Sequence, residues 1–308
     1  MNKNIKRELG KFNNMLAPIC FFTYNRFDET RQAIEALRTN YLASDSNIFI
    51  FSDGPKNELD SCEVMRVREY LKTISGFKSV EIYESVINKG LANSIIDGVS
   101  EVVNRYGNVI VIEDDLVTTP NFLDFMNQAL IYYQKNPKIY SVSGYSMSLP
   151  ALKDYPHDYY FGYRASSWGW GTWKEKWKDV DWQVSQYKSF KINPIMQIKF
   201  MRGGSDMPNM LKKQIKGEID SWAIRWCFDQ FIKDQFTVFP KISKINSIGF
   251  GKNATHTKNP KRFDTEVDDG VQRIFNFNHK VEINKKIAKD FRKKFSFCSR
   301  LMDNMNIN

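Results

Sequence analysis

Three consecutive carboxylates, Glu113, Asp114 and Asp115, directly follow an apolar run over 109–112, which Gly107 bounds on its other side. Four apolar residues in succession are typical of a strand buried on both faces of a parallel sheet. Carboxylates this close repel each other, and a bound cation is the simplest partner that makes the group favourable. Oxygen ligands suit a hard divalent ion. The alternative is that the triplet is only a solvated turn between a strand and a loop.

Three more polar groups stand after apolar runs that are long enough for a strand. The groups, each given with the run before it, are Tyr24-Asn25-Arg26 after 18–23, Ser52-Asp53-Gly54 after 48–51 and Asn88-Lys89-Gly90 after 80–83. Between the runs, apolar residues recur at intervals of three and four, the period of an amphipathic helix. Strands that alternate with helices predict an α/β fold with an open, mostly parallel sheet and helices on both faces.

The carboxyl ends of parallel strands lie at one edge of a sheet, where ligands bind in such folds. We therefore expect the acidic triplet and the three other polar groups to meet at that edge. The chain lacks both the G-x-G-x-x-G and the G-x-x-x-x-G-K-[ST] loops, so neither of these would hold a phosphate. The sequence predicts a nucleotide site in which a metal ion holds the phosphates.

Charge and composition narrow the class of partner. The 308 residues are 42% hydrophobic with a formal net charge of +10, which favours a nucleotide-linked substrate, a nucleic acid or an anionic membrane surface. No RNA-binding motif is present, and we expect no nucleic-acid partner. The four cysteines lack paired or zinc spacing, and no run approaches the ~20 apolar residues that span a bilayer. We expect free thiols and a cytoplasmic protein.

The second half of the chain is rich in aromatic residues. Residues 151–190 contain twelve of them, and all seven tryptophans lie between Trp168 and Trp226. In Trp168-Gly169-Trp170 the glycine leaves room for rings to face a ligand, and indoles stack well on the C–H faces of sugars. The alternative is that the rings form a second core. We expect about two-thirds of them to be core residues and one or two to contact a sugar.

The C-terminal segment 280–300 is basic and amphipathic. It carries eight Lys or Arg and two acids, and its apolar residues recur at intervals of four. These residues are Ile283, Ile287, Phe291 and Phe295. The pattern predicts a helix that docks on an anionic membrane surface, so that the protein is peripheral to the membrane. The alternative is a helix that packs on the protein itself.

Taken together, the motifs resemble those of the GT-A glycosyltransferases, and most closely the N-acetylglucosaminyltransferase I family, over roughly residues 17–257. The matching motifs, in the family's order, are Tyr24-Asn25-Arg26, Ser52-Asp53-Gly54, Glu113-Asp114-Asp115-Leu116, Pro120-Asn121-Phe122, Ser167-Trp168-Gly169-Trp170, Ile219-Asp220-Ser221-Trp222 and the segment from Pro240 to His256. The chain departs from the family at Ser221, which replaces a second acid, and over 183–218. The resemblance implies a GT-A fold with a nucleotide-sugar-binding half over 15–150, an aromatic-rich acceptor half over 151–258 and a basic helical extension over 259–308.

The resemblance also implies roles for individual residues. Asp115 would bind the metal directly, Asp220 would be the general base of an inverting transfer, and Asp53 would contact uracil. The expected donor-binding residues are Thr23, Asn25, Arg26, Asp53, Asn88, Lys89, Gly90, Glu113, Asp114, Trp170, Lys252 and His256. The glycine-containing segment 246–257 is expected to close over the diphosphate. A UDP-sugar donor, a glycan or lipid-linked acceptor and bacterial surface polysaccharide synthesis are the expected setting.

The chemistry requires the same residue types. Transfer from a nucleotide diphosphate sugar needs a Lewis acid on the leaving group, for which Mn²⁺ or Mg²⁺ at Asp115 would serve, and a base for the acceptor hydroxyl. A sugar-phosphate nucleotidyltransferase is an alternative, but such enzymes usually begin with a glycine-rich phosphate loop, and residues 21–27 contain no glycine. A non-catalytic carbohydrate-binding protein would explain the tryptophans but not the acidic triplet.

Overall fold

The computed structural model describes residues 16–249 and 261–296, together with 298, 299, 301 and 303. Ten strands in this part of the chain form two sheets, one of eight strands and one of two. In chain order, β1 to β10 are Ile19–Thr23, Asn47–Ser52, Ser79–Glu84, Asn108–Glu113, Leu116–Thr118, Ile139–Ser143, Tyr159–Gly162, Trp170–Trp173, Phe236–Pro240 and Ile245–Ser247. The large sheet has the order β3-β2-β1-β4-β8-β6-β9-β7, and β5 pairs with β10.

The large sheet is mostly parallel. The strands β3, β2, β1 and β4 are parallel neighbours, whereas β8 runs antiparallel to both β4 and β6. Beyond β6, β9 is parallel and β7 is antiparallel to β9. Six strands therefore point the same way, and their carboxyl ends share one edge. The predicted fold class is confirmed: an α/β domain built on a mostly parallel sheet with helices on both faces.

Helices cover both faces of this sheet. In chain order, α1 to α10 are Phe27–Arg38, Glu58–Leu71, Leu91–Tyr106, Phe122–Tyr133, Lys174–Trp177, Tyr187–Ile192, Pro194–Phe200, Met207–Ile215, Trp222–Ile232 and Lys285–Lys294. Side chains alternate along β1, so Ile19 and Phe21 join the core under α1, α2 and α4, while Cys20 and Phe22 join the core under α3 and α9. Short 3-10 turns lie at Ala43–Asp45, Pro150–Leu152, Met201–Gly203 and Lys261–Phe263.

The start of α4 differs from the sequence pattern. Thr119 followed by Pro120 has the form of an N-cap and a first helical residue, yet the helix begins at Phe122 with Asn121 as its N-cap. The backbone N–H of Thr119 donates to the carbonyl of Lys244 at 2.9 Å, which keeps Thr119 in the extended connection after β5. The cap motif therefore lies two residues before the helix.

The basic helix α10 is shorter than the predicted 280–300, and its apolar face is covered. Ile287, Phe291 and Phe295 are 1%, 6% and 5% exposed, because they pack into an apolar cluster that includes Phe239 of β9. The face that was predicted to enter a membrane is thus buried by the protein, which is the alternative that the sequence left open. Only the basic face of α10 remains exposed. Within the residues described, none of the helices combines the length and the apolarity needed to cross a bilayer.

We expect Phe291→Ala to lower the free energy of unfolding by about 3 kcal/mol, since truncation of a buried aromatic leaves a cavity. Lys293→Ala, on the exposed face of the same helix, should change it by less than about 0.5 kcal/mol. Urea titration of both variants measures the difference. Equal stabilities would mean that α10 does not pack as described.

Candidate active site

The carboxyl edge of the sheet brings the predicted polar groups together. Phe22 of β1 lies opposite Glu113 of β4, and Thr23 lies opposite Ser52 of β2. The residues that follow these strands therefore leave the sheet side by side, and the backbone N–H of Asp53 donates to the carbonyl of Thr23 at 3.1 Å. The convergence predicted from strand ends is present between the first four parallel strands.

The acidic triplet is crowded and poorly solvated. Burial raises the pKa of Glu113 well above its usual range, and the charges of Asp115 and Asp114 raise it further. Burial, with Asp115 adding to it, raises the pKa of Asp114 to about 7. Burial also raises the pKa of Asp115, while Arg26 opposes the rise. The Arg26 Nη1 atom lies 3.2 Å from Asp115 Oδ2 and 3.9 Å from Asp114 Oδ1, so one guanidinium serves two carboxylates.

Asp114 and Asp115 have different surroundings. Asp114 Oδ2 accepts hydrogen bonds from the hydroxyl of Thr23 and the backbone N–H of Tyr24, both at 3.3 Å. These contacts hold Asp114 against the loop after β1. The Asp115 side chain is the more exposed of the two, 27% against 12%, so it is the carboxylate that is better placed to meet an external cation.

The small sheet of β5 and β10 positions the chain directly over Asp115. Leu116 pairs with Ser247, and the backbone N–H of Ile248 donates to the carbonyl of Asp115 at 2.9 Å. A Cβ atom placed on Gly249 would lie only 2.1 Å from Asp115 Oδ2. Only glycine permits this close approach of the backbone to the carboxylate.

The residues at this edge fit a divalent cation that takes most of its ligands from a substrate. In the described part of the chain no three His, Cys, Asp or Glu side chains are grouped to hold a metal by themselves. Mg²⁺ and similar ions are commonly bound through one or two carboxylates, with phosphate oxygens and water completing the shell. When Glu113, Asp114 and Asp115 are all ionised, their charge exceeds that of Arg26, and a cation at Asp115 would offset the excess.

Asp53 has a positioning role in the structure. One carboxylate oxygen accepts the backbone N–H groups of Gly54 and Lys89, each at 2.9 Å, and the other accepts that of Gly90 at 3.0 Å. The Asn88 amide donates to the carbonyl of Gly54 at 2.7 Å. Asp53 and Asn88 thus fix the loop that leads into α3. Contact of Asp53, Asn88, Lys89 or Gly90 with a nucleotide stays a prediction.

Asp60 is an important residue that the sequence did not reveal. Its two carboxylate oxygens accept hydrogen bonds from the Tyr24 hydroxyl at 2.8 Å and from the Asn25 amide at 3.2 Å. The backbone N–H of Lys56 also donates to the Tyr24 hydroxyl, at 3.0 Å. Asp60 therefore fastens the loop after β1 to α2. An acid in the first turn of a helix is ordinary for helix-dipole reasons, so sequence alone does not single it out.

The structure contradicts the prediction that Trp170 binds the donor. Its side chain is fully buried, and its ring lies 4.3 Å from that of Trp226, 5.2 Å from that of Trp222 and 5.4 Å from that of Trp177. As the first residue of β8, Trp170 faces the helices on one side of the sheet, so it is a core residue and cannot contact a donor sugar. Trp168 is half-buried and stands closer to the edge, since it precedes β8.

Asp220 precedes α9, which runs about 16 Å from the carboxyl edge back to the amino end of β9. The ring of Trp222, the first residue of α9, lies 5.2 Å from that of Trp170 at the carboxyl-edge end of β8. The N-cap of α9 is Ser221, whose hydroxyl accepts the N–H of Ile224 at 3.4 Å. The Asp220 side chain is 67% exposed and lies 3.9 Å from Arg225 Nη2. Because Ser221 caps the helix, the Asp220 carboxylate is available for another role.

The remaining predicted contacts, Lys252 and His256, lie outside the described residues, as does most of the expected lid over 246–257. Their phosphate contacts and the lid stay predictions.

All four cysteines are free thiols, as expected.

Comparisons with known proteins add little to this geometry. No protein-family description matches the chain, and no curated protein matches it. Among solved structures, the chain is similar to the mannosyltransferase PcManGT from Pyrobaculum calidifontis, in complex with GDP-Man and Mn²⁺, with 11% identity and a TM-score of 0.35 over 52% of this chain and 45% of that one. It is also similar to TarS from S. aureus, with 10% identity and a TM-score of 0.31 over 42% of this chain and 21% of that one. The chain thus spans less than half of either structure.

We expect Gly249→Ala to weaken metal-dependent nucleotide-sugar binding by about tenfold or more, because the new methyl group displaces the Asp115 carboxylate. Ser189→Ala, at an exposed position of α6, is the control. Calorimetric titration with Mn²⁺ present measures both affinities. Parent-like binding by Gly249→Ala would show that Asp115 need not stay where the structure places it.

Proposed function

We propose that the protein is a metal-dependent glycosyltransferase that moves a sugar from a nucleotide diphosphate donor to a hydroxyl acceptor with inversion. The observation that carries the proposal is the crowded acidic end of β4 at the carboxyl edge of the sheet. Of the three buried or half-buried carboxylates there, Asp114 and Asp115 lie beside Arg26, so a bound cation would balance negative charge that the protein itself leaves uncompensated. Mn²⁺ or Mg²⁺ bound at Asp115 would supply Lewis-acid stabilisation of the leaving diphosphate.

Different residues at the carboxyl edge are assigned to the donor and to the acceptor. On the donor side, Asp53 and Asp60 hold the loops between which a nucleotide would lie, and Arg26 is placed beside the diphosphate position. On the acceptor side, the exposed Asp220 carboxylate takes the proton of the acceptor hydroxyl. The acceptor oxygen then forms its bond to the anomeric carbon as the bond from that carbon to the diphosphate oxygen breaks. The half-buried Trp168 is the aromatic residue proposed to contact the sugar.

The family resemblance supports finer features of the proposal. It favours a uridine diphosphate carrier, a hexose or N-acetylhexosamine as the donated sugar, and a glycan or lipid-linked acceptor in surface polysaccharide synthesis. A screen of nucleotide sugars by thermal shift with Mn²⁺ would identify the carrier and the sugar. A donor at about 100 times its dissociation constant should stabilise the fold by roughly 2.7 kcal/mol. Release of nucleoside diphosphate, rather than pyrophosphate, distinguishes sugar transfer from nucleotidyl transfer.

We expect Asp115→Asn to remove the Mn²⁺-dependent part of the stabilisation by donor. The unfolding temperature without metal should stay the same or rise, because a buried charge is lost. Asp28→Asn, an exposed acid on α1, is the matched control and should respond to donor as the parent does. The measurement is the thermal shift with and without chelator. An unchanged shift in Asp115→Asn would place the metal elsewhere.

We expect Asp220→Asn to lower kcat by about 10²-fold or more and to leave donor affinity unchanged, because asparagine cannot accept the acceptor proton. Helix capping does not confuse this test, since the cap is Ser221. Asp234→Asn, an exposed acid at the other end of α9, should keep parent kinetics. Near-normal turnover in Asp220→Asn, or a product that retains the donor's anomeric configuration, would refute the base assignment.

A further inference from the structure

The segment that the family resemblance did not cover carries an exposed apolar surface. Ile192 at the end of α6 and Ile195 and Ile198 of α7 are 81%, 65% and 62% exposed. Ile195 and Ile198 are three residues apart in one helix, so they lie on the same face. A single exposed apolar side chain is unremarkable in a soluble domain, whereas three within seven residues make a patch that marks an interaction site. We call these three residues the isoleucine corner.

The isoleucine corner is presented by a firmly packed element. Phe190 of α6 and Phe200 of α7 are each 2% exposed, and their rings lie 5.1 Å and 5.5 Å from the ring of Phe228 of α9. The Asn193 side chain caps α7 by accepting the N–H of Met196 at 3.0 Å. The aromatic residues therefore bury one side of this segment, and the isoleucines stand on the other side.

The charged residues of the segment that carries the corner are all basic. No Asp or Glu occurs from 182 to 205, whereas this stretch contains Lys188, Lys191, Lys199 and Arg202. The three lysines are exposed, and among the described residues no carboxylate lies within ion-pair distance of them. Some exposed lysines elsewhere have an acidic partner, as Lys72 has Glu69 at 2.7 Å. The corner therefore combines an apolar tip with a cationic ring.

We propose that the isoleucine corner docks the protein on an anionic lipid surface. Isoleucines suit the boundary between headgroups and acyl chains, and lysines suit the lipid phosphates around them. A second copy of the chain is disfavoured as the occupant, because its corner would bring lysines against lysines. The helix α10 lacks an exposed apolar face: its basic face is exposed, but Ile287 and Phe291 are buried in the protein.

The position of the corner is compatible with the proposed function without depending on it. Lys199 and Phe200 line a small cavity together with Phe236, the first residue of β9. The corner thus lies towards the amino edge of the parallel strands, away from the acidic edge. A lipid surface at the corner leaves the carboxyl edge open to a donor from solution.

Co-sedimentation of the full chain with vesicles tests the proposal. The vesicles contain phosphatidylcholine alone or with phosphatidylglycerol, at low and at near-physiological salt. We expect binding only to the anionic vesicles, and a loss of about tenfold or more for the double variant Ile195→Asp with Ile198→Asp. Val271→Asp replaces an equally exposed aliphatic residue, 72% exposed, and should bind as the parent does.

A second pair of variants separates the corner from simple attraction by the basic helix. The triple charge reversal Lys188→Glu, Lys191→Glu and Lys199→Glu should abolish binding, whereas reversal of Lys286, Lys289 and Lys293 on α10 should weaken it less. Circular dichroism melting confirms that each variant is folded, and donor-dependent thermal shifts in solution should match the parent's for all of them. The proposal is overturned if the parent fails to bind anionic vesicles, or if the isoleucine variant binds them undiminished. It is also overturned if light scattering shows that the parent is a dimer, that the isoleucine variant is a monomer, and that the parent does not bind vesicles.

Discussion

The structure depends on the placement of three carboxylates at the end of a buried central strand. Val109 to Ile112 of β4 are completely buried between β1 and β8. The strand therefore cannot move outward to expose the acids at its end to water. Their mutual repulsion and their desolvation both disfavour ionisation, and the guanidinium of Arg26 offsets only part of this. A cation that binds at this accessible edge, together with an anionic ligand, relieves the repulsion between the carboxylates, and this relief favours binding.

The carboxyl edge holds acids in two kinds of surroundings. The loops after β1 and β2 are held by buried or half-buried acids, Asp53 and Asp60, whose oxygens are committed to backbone and side-chain donors. Those loops are therefore preorganised. The Asp220 carboxylate before α9 is exposed and lies 3.9 Å from Arg225. In the proposed transfer reaction, the held loops would position the donor and the accessible carboxylate would accept a proton.

Most of the first half of the chain, from β1 to β4, could be predicted from the sequence, because its signals are local. The apolar run of β4, the helical spacing of Ile95 and Val99, and Gly107, which ends α3 at a φ of +86°, each determine their own element. The meeting of the strand ends then follows from the parallel topology alone.

The parts that sequence did not predict correctly depend on partners distant in the chain. A Trp-Gly-Trp motif is equally compatible with rings that stack on a sugar and with rings that pack in the core. In the structure the ring of Trp170 faces Trp226 and is part of the core. The stripe of α10 would fit a membrane as well as it fits the cluster around Phe239. Asp60 carries no local signal at all, since its partners belong to the loop after another strand.

The acidic end of β4 is proposed to bind a divalent cation together with a nucleoside diphosphate. The most direct measurement is an anomalous-difference map from crystals grown with Mn²⁺ and uridine diphosphate, with data collected near the manganese absorption edge. We expect one strong peak within coordination distance of the Asp115 carboxylate and of the diphosphate oxygens, with the Arg26 guanidinium still beside the triplet. Nucleotide density at the carboxyl edge without a manganese peak at Asp115, or a peak at another site, would contradict the proposed site.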